Sequence, residues 1–112
     1  MIHEVADSHG VSVVTDFVGH GVGLQMHEQP QVPHYRNSLH IPLVPGMTFT
    51  IEPMINAGVK DPVIDKKDKW TARTKDGRAS AQWEHAFLIT ENGYEILTPW
   101  TKTSCEIGYE IG

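Results

Sequence analysis

Apolar and polar residues alternate most strictly between Met47 and Glu52. Met47, Phe49 and Ile51 fall on one side, and Thr48, Thr50 and Glu52 on the other. That two-residue period predicts a strand with one face in a core and Glu52 presented from the other, entered through the Pro45-Gly46 turn. A second run, Ser80 to Thr90, puts Glu84, Ala86, Leu88 and Thr90 on one face and His85 opposite them. Glu91-Asn92-Gly93 then turns the chain into a last strand, Tyr94 to Thr98. Between the two runs, Trp70 to Thr74 and the residues from Ala79 onward flank Lys75-Asp76-Gly77-Arg78, the pattern of a β-hairpin.

Elsewhere the pattern is weaker. Ile2, Val5 and Ala6 make a short helical stripe that Gly10 is placed to end. So short a helix nucleates poorly by itself, and the expectation is a chain that begins inside an element. Val11 to Val14 reads as a short strand and Gly19 to Gly23 as a glycine-rich turn. His27 to Tyr35, which contains Pro30 and Pro33, reads as an extended loop. Gly58 to Lys69 is polar and charged, a surface connection. The sum is a β-rich chain with little helix and no internal repeat.

Composition narrows the classes. At 112 residues the chain holds at most one small domain, and 39% hydrophobic with 21% charged residues is an ordinary globular balance. A net charge of −5 counts against nucleic acid or an anionic membrane as partner. No apolar run approaches the roughly 18 residues of a membrane span. The single cysteine, Cys105, can form no intrachain disulfide, and there is no CxxC pair. A reducing, cytoplasmic setting is expected from this. The opening MIHEVADSHG lacks the basic-then-apolar order of a secretory signal.

The chemistry gathers in three residues, His20, Glu52 and Glu84, each in a well-patterned block. They are too far apart for a local motif and would have to meet through the fold, one from the glycine-rich block and two from neighbouring strands. An imidazole and two carboxylates suit a divalent ion such as Mn²⁺, Co²⁺, Fe²⁺ or Zn²⁺. Two inward carboxylates without a cation would repel and take up protons. Two of the three also have a plainer explanation: Glu52 as a solvated strand end, His20 as a turn histidine. Glu84, between Trp83 and His85 in an apolar strand, calls for a partner, because an unpaired buried carboxylate is costly. His20 lies between Gly19 and Gly21, which points to a backbone approached closely by something else. His3, His9, His34 and His40 read as surface or loop residues, and His85 as structural.

Taken together, the blocks resemble type I methionine aminopeptidases in order and spacing. They are GHGVG at 19–23, HEQPQVPHY at 27–35, PGMTFTIEP at 45–53, WT at 70–71, TKDG at 74–77, SAQWEH at 80–85 and EILT at 95–98. The likeness runs from about Ile2 to Thr98, with residues 99–112 a divergent tail. The resemblance implies an α+β chain that is the C-terminal half of a pita-bread fold, a curved antiparallel sheet with little helix. It implies a metal-dependent aminopeptidase that removes the initiator methionine of nascent peptides by metal-activated water.

Carried across on matching motifs, His20, Glu52 and Glu84 would be metal ligands, and Glu52 would also shuttle a proton. His27 would contact the scissile amide and Trp70 would line the methionine pocket. The family uses two divalent ions (Co, Mn, Fe or Zn) and draws two aspartates and another histidine from an N-terminal half. None of Asp7, Asp16, Asp61, Asp65, Asp68 or Asp76 stands in the context those aspartates require, so a complete two-metal centre is not expected from this chain. The partners implied are a peptide with N-terminal methionine and either an N-terminal half chain or a second copy. Two other functions share these features: a non-catalytic peptide- or protein-binding module on a peptidase-like fold, and an X-Pro peptidase.

Overall fold

The computed structural model describes residues 1–99; Cys105 and residues 100–112 of the expected tail lie outside the described part. One helix, α1 (Ile2–Ser8), is followed by ten short strands: β1 (Ser12–Val13), β2 (Gly19–Gly21), β3 (Glu28–Val32), β4 (Thr48–Ile51), β5 (Met54–Asn56), β6 (Pro62–Ile64), β7 (Ala72–Thr74), β8 (Ser80–Gln82), β9 (His85–Thr90) and β10 (Gly93–Ile96). α1 ends as expected, with Gly10 at φ +66° receiving the turn and its N–H bonded to Asp7 O at 3.1 Å.

The strands form antiparallel sheets of five (β10-β9-β4-β2-β3), three (β1-β5-β8) and two (β6-β7). The first two are one pairing interrupted once. Ile51 pairs with His85 at the end of the β4–β9 ladder, and Met54 pairs with Gln82 at the start of the β5–β8 ladder. The register is unchanged across the gap, so Glu52 lies opposite Glu84 and Pro53 opposite Trp83. Pro53 has no N–H to give the ladder, but its carbonyl accepts the Trp83 N–H at 3.4 Å.

The core is small. Phe49 is buried and stacked on Phe87 with ring centroids 6.2 Å apart. Ala6 of α1 and Val13 and Val14 at β1 are also buried, and α1 packs on β1. Asn56 is buried, with its polar atoms engaged by Val59 O and the Ser80 hydroxyl. Ile2, Val5 and Ala6 of α1, with Pro53 and Ile55, border an apolar hollow of about 510 Å³.

Four expectations are corrected. The proline-containing segment is a strand at Glu28–Val32, paired with β2. Long-range pairing overrides its poor local strand preference. Part of the surface connection, Pro62–Ile64, is also a strand. The turn at Asp76-Gly77 forms, with Gly77 at φ +71°, but its flanks do not pair as a hairpin: β7 joins β6 and β8 joins β5. The Asp76 carboxylate instead accepts the Val59 and Arg78 N–H groups. Finally, the run from Ser80 to Thr90 is two strands separated at Trp83-Glu84.

Candidate metal centre

The β4–β9 register alone brings the two carboxylates together. Residues directly opposite on antiparallel strands carry Cβ atoms roughly 5 Å apart. Glu52 and Glu84, just past the paired ends of β4 and β9, occupy such positions on the same face as Thr50 and Ala86. His20 reaches that face from β2. Gly21 pairs with Phe49, which sets His20 beside Thr50, and the His20 N–H donates to the Thr50 hydroxyl at 3.0 Å. One ligand atom from each of His20, Glu52 and Glu84 lies within 4.8 Å of the others.

The glycines around His20 are explained by close approach. A Cβ at Gly19 would meet the Thr50 carbonyl and one at Gly21 the Gln29 carbonyl, both backbone. His20 is therefore in a three-stranded segment rather than in a turn, as the glycine content suggested. The β2–β3 register slips between His20 and Gly21, where β3 carries Gln29 and Pro30 as extra residues; irregularities of this kind re-aim a side chain.

Hydrogen bonding fixes the donor atoms. His20 Nδ1 lies 2.9 Å from the Gly21 carbonyl oxygen. A carbonyl only accepts, so Nδ1 carries a proton, and Nε2 is the atom left to face the site. Nε2 lies 3.2 Å from Glu52 Oε2. A ring nitrogen and a carboxylate oxygen so placed share a proton or a cation between them. Both side chains are about 15% exposed, which excludes Glu52 as a freely solvated strand end. Glu84 is exposed rather than buried, and its partner is the other carboxylate. Its pKa is raised, first by loss of solvation and then by the Glu52 charge and a hydrogen bond with Glu52. The donor set thus fits one divalent cation: an imidazole lone pair and two carboxylates that repel unless a positive charge is shared.

The remaining residues fall as follows. His27 is exposed, its ring centroid 4.3 Å from that of His20. Trp70 is 84% exposed on the β6–β7 connection, its N–H held by the Asp68 carboxylate at 2.9 Å. His85 is tied to Trp83 Nε1 and Thr98 O. His34 is not a surface residue: it is buried, and its Nε2 accepts the Glu52 N–H at 3.0 Å. Burial lowers its pKa, the Glu52 carboxylate opposing the shift. Thr50, also buried, donates its hydroxyl to Glu52 Oε2 at 2.8 Å. Neither residue stood out in the sequence, although the position of Thr50 on the Glu52 face of an alternating strand was a usable signal.

Residues 1–91 match metallopeptidase family M24, and the chain belongs to that family. Among curated proteins it is 66% identical over 93 residues to a methionine aminopeptidase of Chlamydia pneumoniae, covering 83% of this chain and 32% of that protein. It is 51% identical over 98 residues to the methionine aminopeptidase of Escherichia coli K12, covering 87% and 37%. Among solved structures, the methionine aminopeptidases of Thermotoga maritima and Rickettsia prowazekii superimpose with a TM-score of 0.82 each. They are 49% and 45% identical to the chain over 88% and 87% of it, and over 40% of each of their own chains. The fold is accordingly part of the pita-bread architecture of those enzymes, with one short helix and mostly antiparallel sheet. The chain spans about a third of the length of the curated relatives it matches.

Proposed function

We propose that this chain carries the C-terminal share of a methionine aminopeptidase centre, residues 1–98 forming the catalytic portion. The observation that carries the proposal is the pair Glu52 and Glu84, opposite in register, with His20 Nε2 3.2 Å from Glu52 Oε2. His20, Glu52 and Glu84 would hold a divalent ion, of the Co, Mn, Fe or Zn group. Such an ion supplies Lewis acidity and makes water a usable nucleophile near neutral pH.

The protein's own groups complete the picture. Glu52, with Oε2 anchored by Thr50, accepts the proton of the attacking water and returns it to the leaving amine. His27, exposed beside His20, would hydrogen-bond the scissile amide, a role that rests on its motif. Trp70 contributes an exposed aromatic surface for the methionine side chain, a role that rests on its motif. Two neighbouring carboxylates favour a positively charged peptide amine over a purely apolar ligand. The apolar hollow along α1 supports completion of the centre by further polypeptide, an N-terminal half chain or a second copy. With one cysteine in its sequence, the chain suits the cytoplasm.

The test is reconstitution. The chain is mixed with a separately made N-terminal portion of the Chlamydia pneumoniae relative and Mn²⁺ or Co²⁺, and hydrolysis of a Met-Gly peptide is followed. Turnover in the mixture, abolished by Glu52→Gln, is expected. No turnover in a mixture that associates would contradict the proposal.

A further inference from the structure

Thr50 is hydrogen-bonded in a way that a merely structural strand threonine is not. Thr48, two residues earlier on the same face, donates its hydroxyl to the Val22 carbonyl and so serves only main-chain pairing. The Thr50 hydroxyl accepts the His20 N–H at 3.0 Å and lies 2.8 Å from Glu52 Oε2 and 3.5 Å from His20 O. A hydroxyl has one proton to give, and the shorter, charge-assisted contact to the carboxylate takes it. One oxygen atom therefore holds the main chain of His20 and the carboxylate of Glu52 together.

His34 acts on the same residue from the other side. Its Nε2 accepts the Glu52 N–H at 3.0 Å from a buried position. Glu52 follows the last residue of β4, where the ladder lapses at Pro53, so its main chain lacks the support that a strand interior gives. His34 supplies that support. Burial of both Thr50 and His34 keeps water from competing for these bonds.

We infer that Thr50 and His34 are positioning residues, which set the separation of His20 Nε2 and Glu52 Oε2 and thereby the affinity of the centre for a divalent cation. The inference rests on the metal-centre proposal above. Outer partners of this kind typically change metal affinity by about 10- to 100-fold when removed.

The experiment is calorimetric titration of Mn²⁺ into the 112-residue chain, with far-UV circular dichroism as the check on folding. Thr50→Val keeps the shape and removes the hydroxyl; an affinity loss of about 10- to 100-fold is expected, with recovery in Thr50→Ser. His34→Phe should weaken binding, and His34→Gln, which keeps an acceptor, should restore part of it. The visible absorption band of bound Co²⁺ should shift in Thr50→Val and return in Thr50→Ser. If Thr50→Val does not fold, Thr50→Ala is compared with Thr50→Ser in its place. Parent-like affinity in a folded chain lacking the hydroxyl would overturn the inference. Glu84→Ala separates the two proposals: if it binds Mn²⁺ as the parent does, the metal centre itself is refuted. If it loses binding while Thr50→Val does not, only the positioning roles fall.

Discussion

Glu52 and Glu84 face one another across a single unpaired step between two antiparallel ladders, Ile51–His85 on one side and Met54–Gln82 on the other. Like charges directly opposite on paired strands destabilise a sheet. The pKa of Glu84 is raised, partial loss of solvation being the first cause and the Glu52 charge the next, so the pair takes up a proton more readily than a lone carboxylate would. Proton and cation therefore compete for one site. Mn²⁺ affinity should fall as the pH is lowered from neutrality into the acidic range. The metal-free chain should show the opposite sign: a raised carboxylate pKa contributes stability below the unfolded value of 4.5 that is lost as pH rises through the folded one. Thermal melts of the parent and Glu84→Gln across that range, with and without Mn²⁺, measure both. A Glu84→Gln chain with the same pH response as the parent would contradict the assignment.

His34 should give a separate pH signature. Its pKa is lowered from 6.5 chiefly by burial, so the neutral ring contributes stability above 6.5 that is lost as pH falls through the depressed value. Protonation would also remove the acceptor for the Glu52 N–H. Melting temperature measured from pH 7 downward should drop less steeply in His34→Gln than in the parent. Equal slopes would mean that His34 stays solvated.

Gly21→Ala tests the close approach of β2 and β3. The new methyl would press on the Gln29 and Glu28 carbonyls, which are backbone and cannot swing aside. Both the melting temperature and Mn²⁺ affinity should fall, because His20 is displaced with its strand. Gly93→Ala, with open space around the added atom, serves as the comparison and should leave both unchanged.

Phe49→Ala should be severe. Removing a buried phenylalanine typically costs about 3–5 kcal/mol, against a total stability of about 5–15 kcal/mol for an ordinary domain. Here Phe49 is one of few buried apolar side chains, so most of the stability should go. Urea unfolding of the variant should begin at or near zero denaturant; a midpoint close to that of the parent would show that the core lies elsewhere.

How far the sequence reveals this structure depends on what each signal reports. Alternation at Met47 to Glu52 is local and strong, and β4 follows it. The face that bears Glu52 could be assigned from that period alone. His20, between two glycines, carried a sign of close backbone approach, and Thr50 and Gln29 supply the approach. By contrast, β3 is invisible locally, because two prolines argue for a loop and only its partner β2 makes it a strand. The misassigned β7–β8 hairpin has the same origin: the Asp76-Gly77 turn is present, but where its flanks pair is decided by β5 and β6. That Glu52 and Glu84 meet is a matter of register, which spacing along the chain does not encode. His34 gave no signal because nothing in a proline-containing segment marks one imidazole as buried. Trp70 was singled out by its motif, and it stands exposed on the β6–β7 connection, where its role depends on what approaches it.

The central claim is that His20, Glu52 and Glu84 form one cation site. Titration of Mn²⁺ into the parent chain and into Glu84→Ala at neutral pH tests it most directly. A single saturable site in the parent, weakened by at least about 100-fold in the variant, is the expected result, since loss of a ligand should exceed loss of an outer partner. Binding of equal strength in both chains, or no binding in a folded parent, would contradict it.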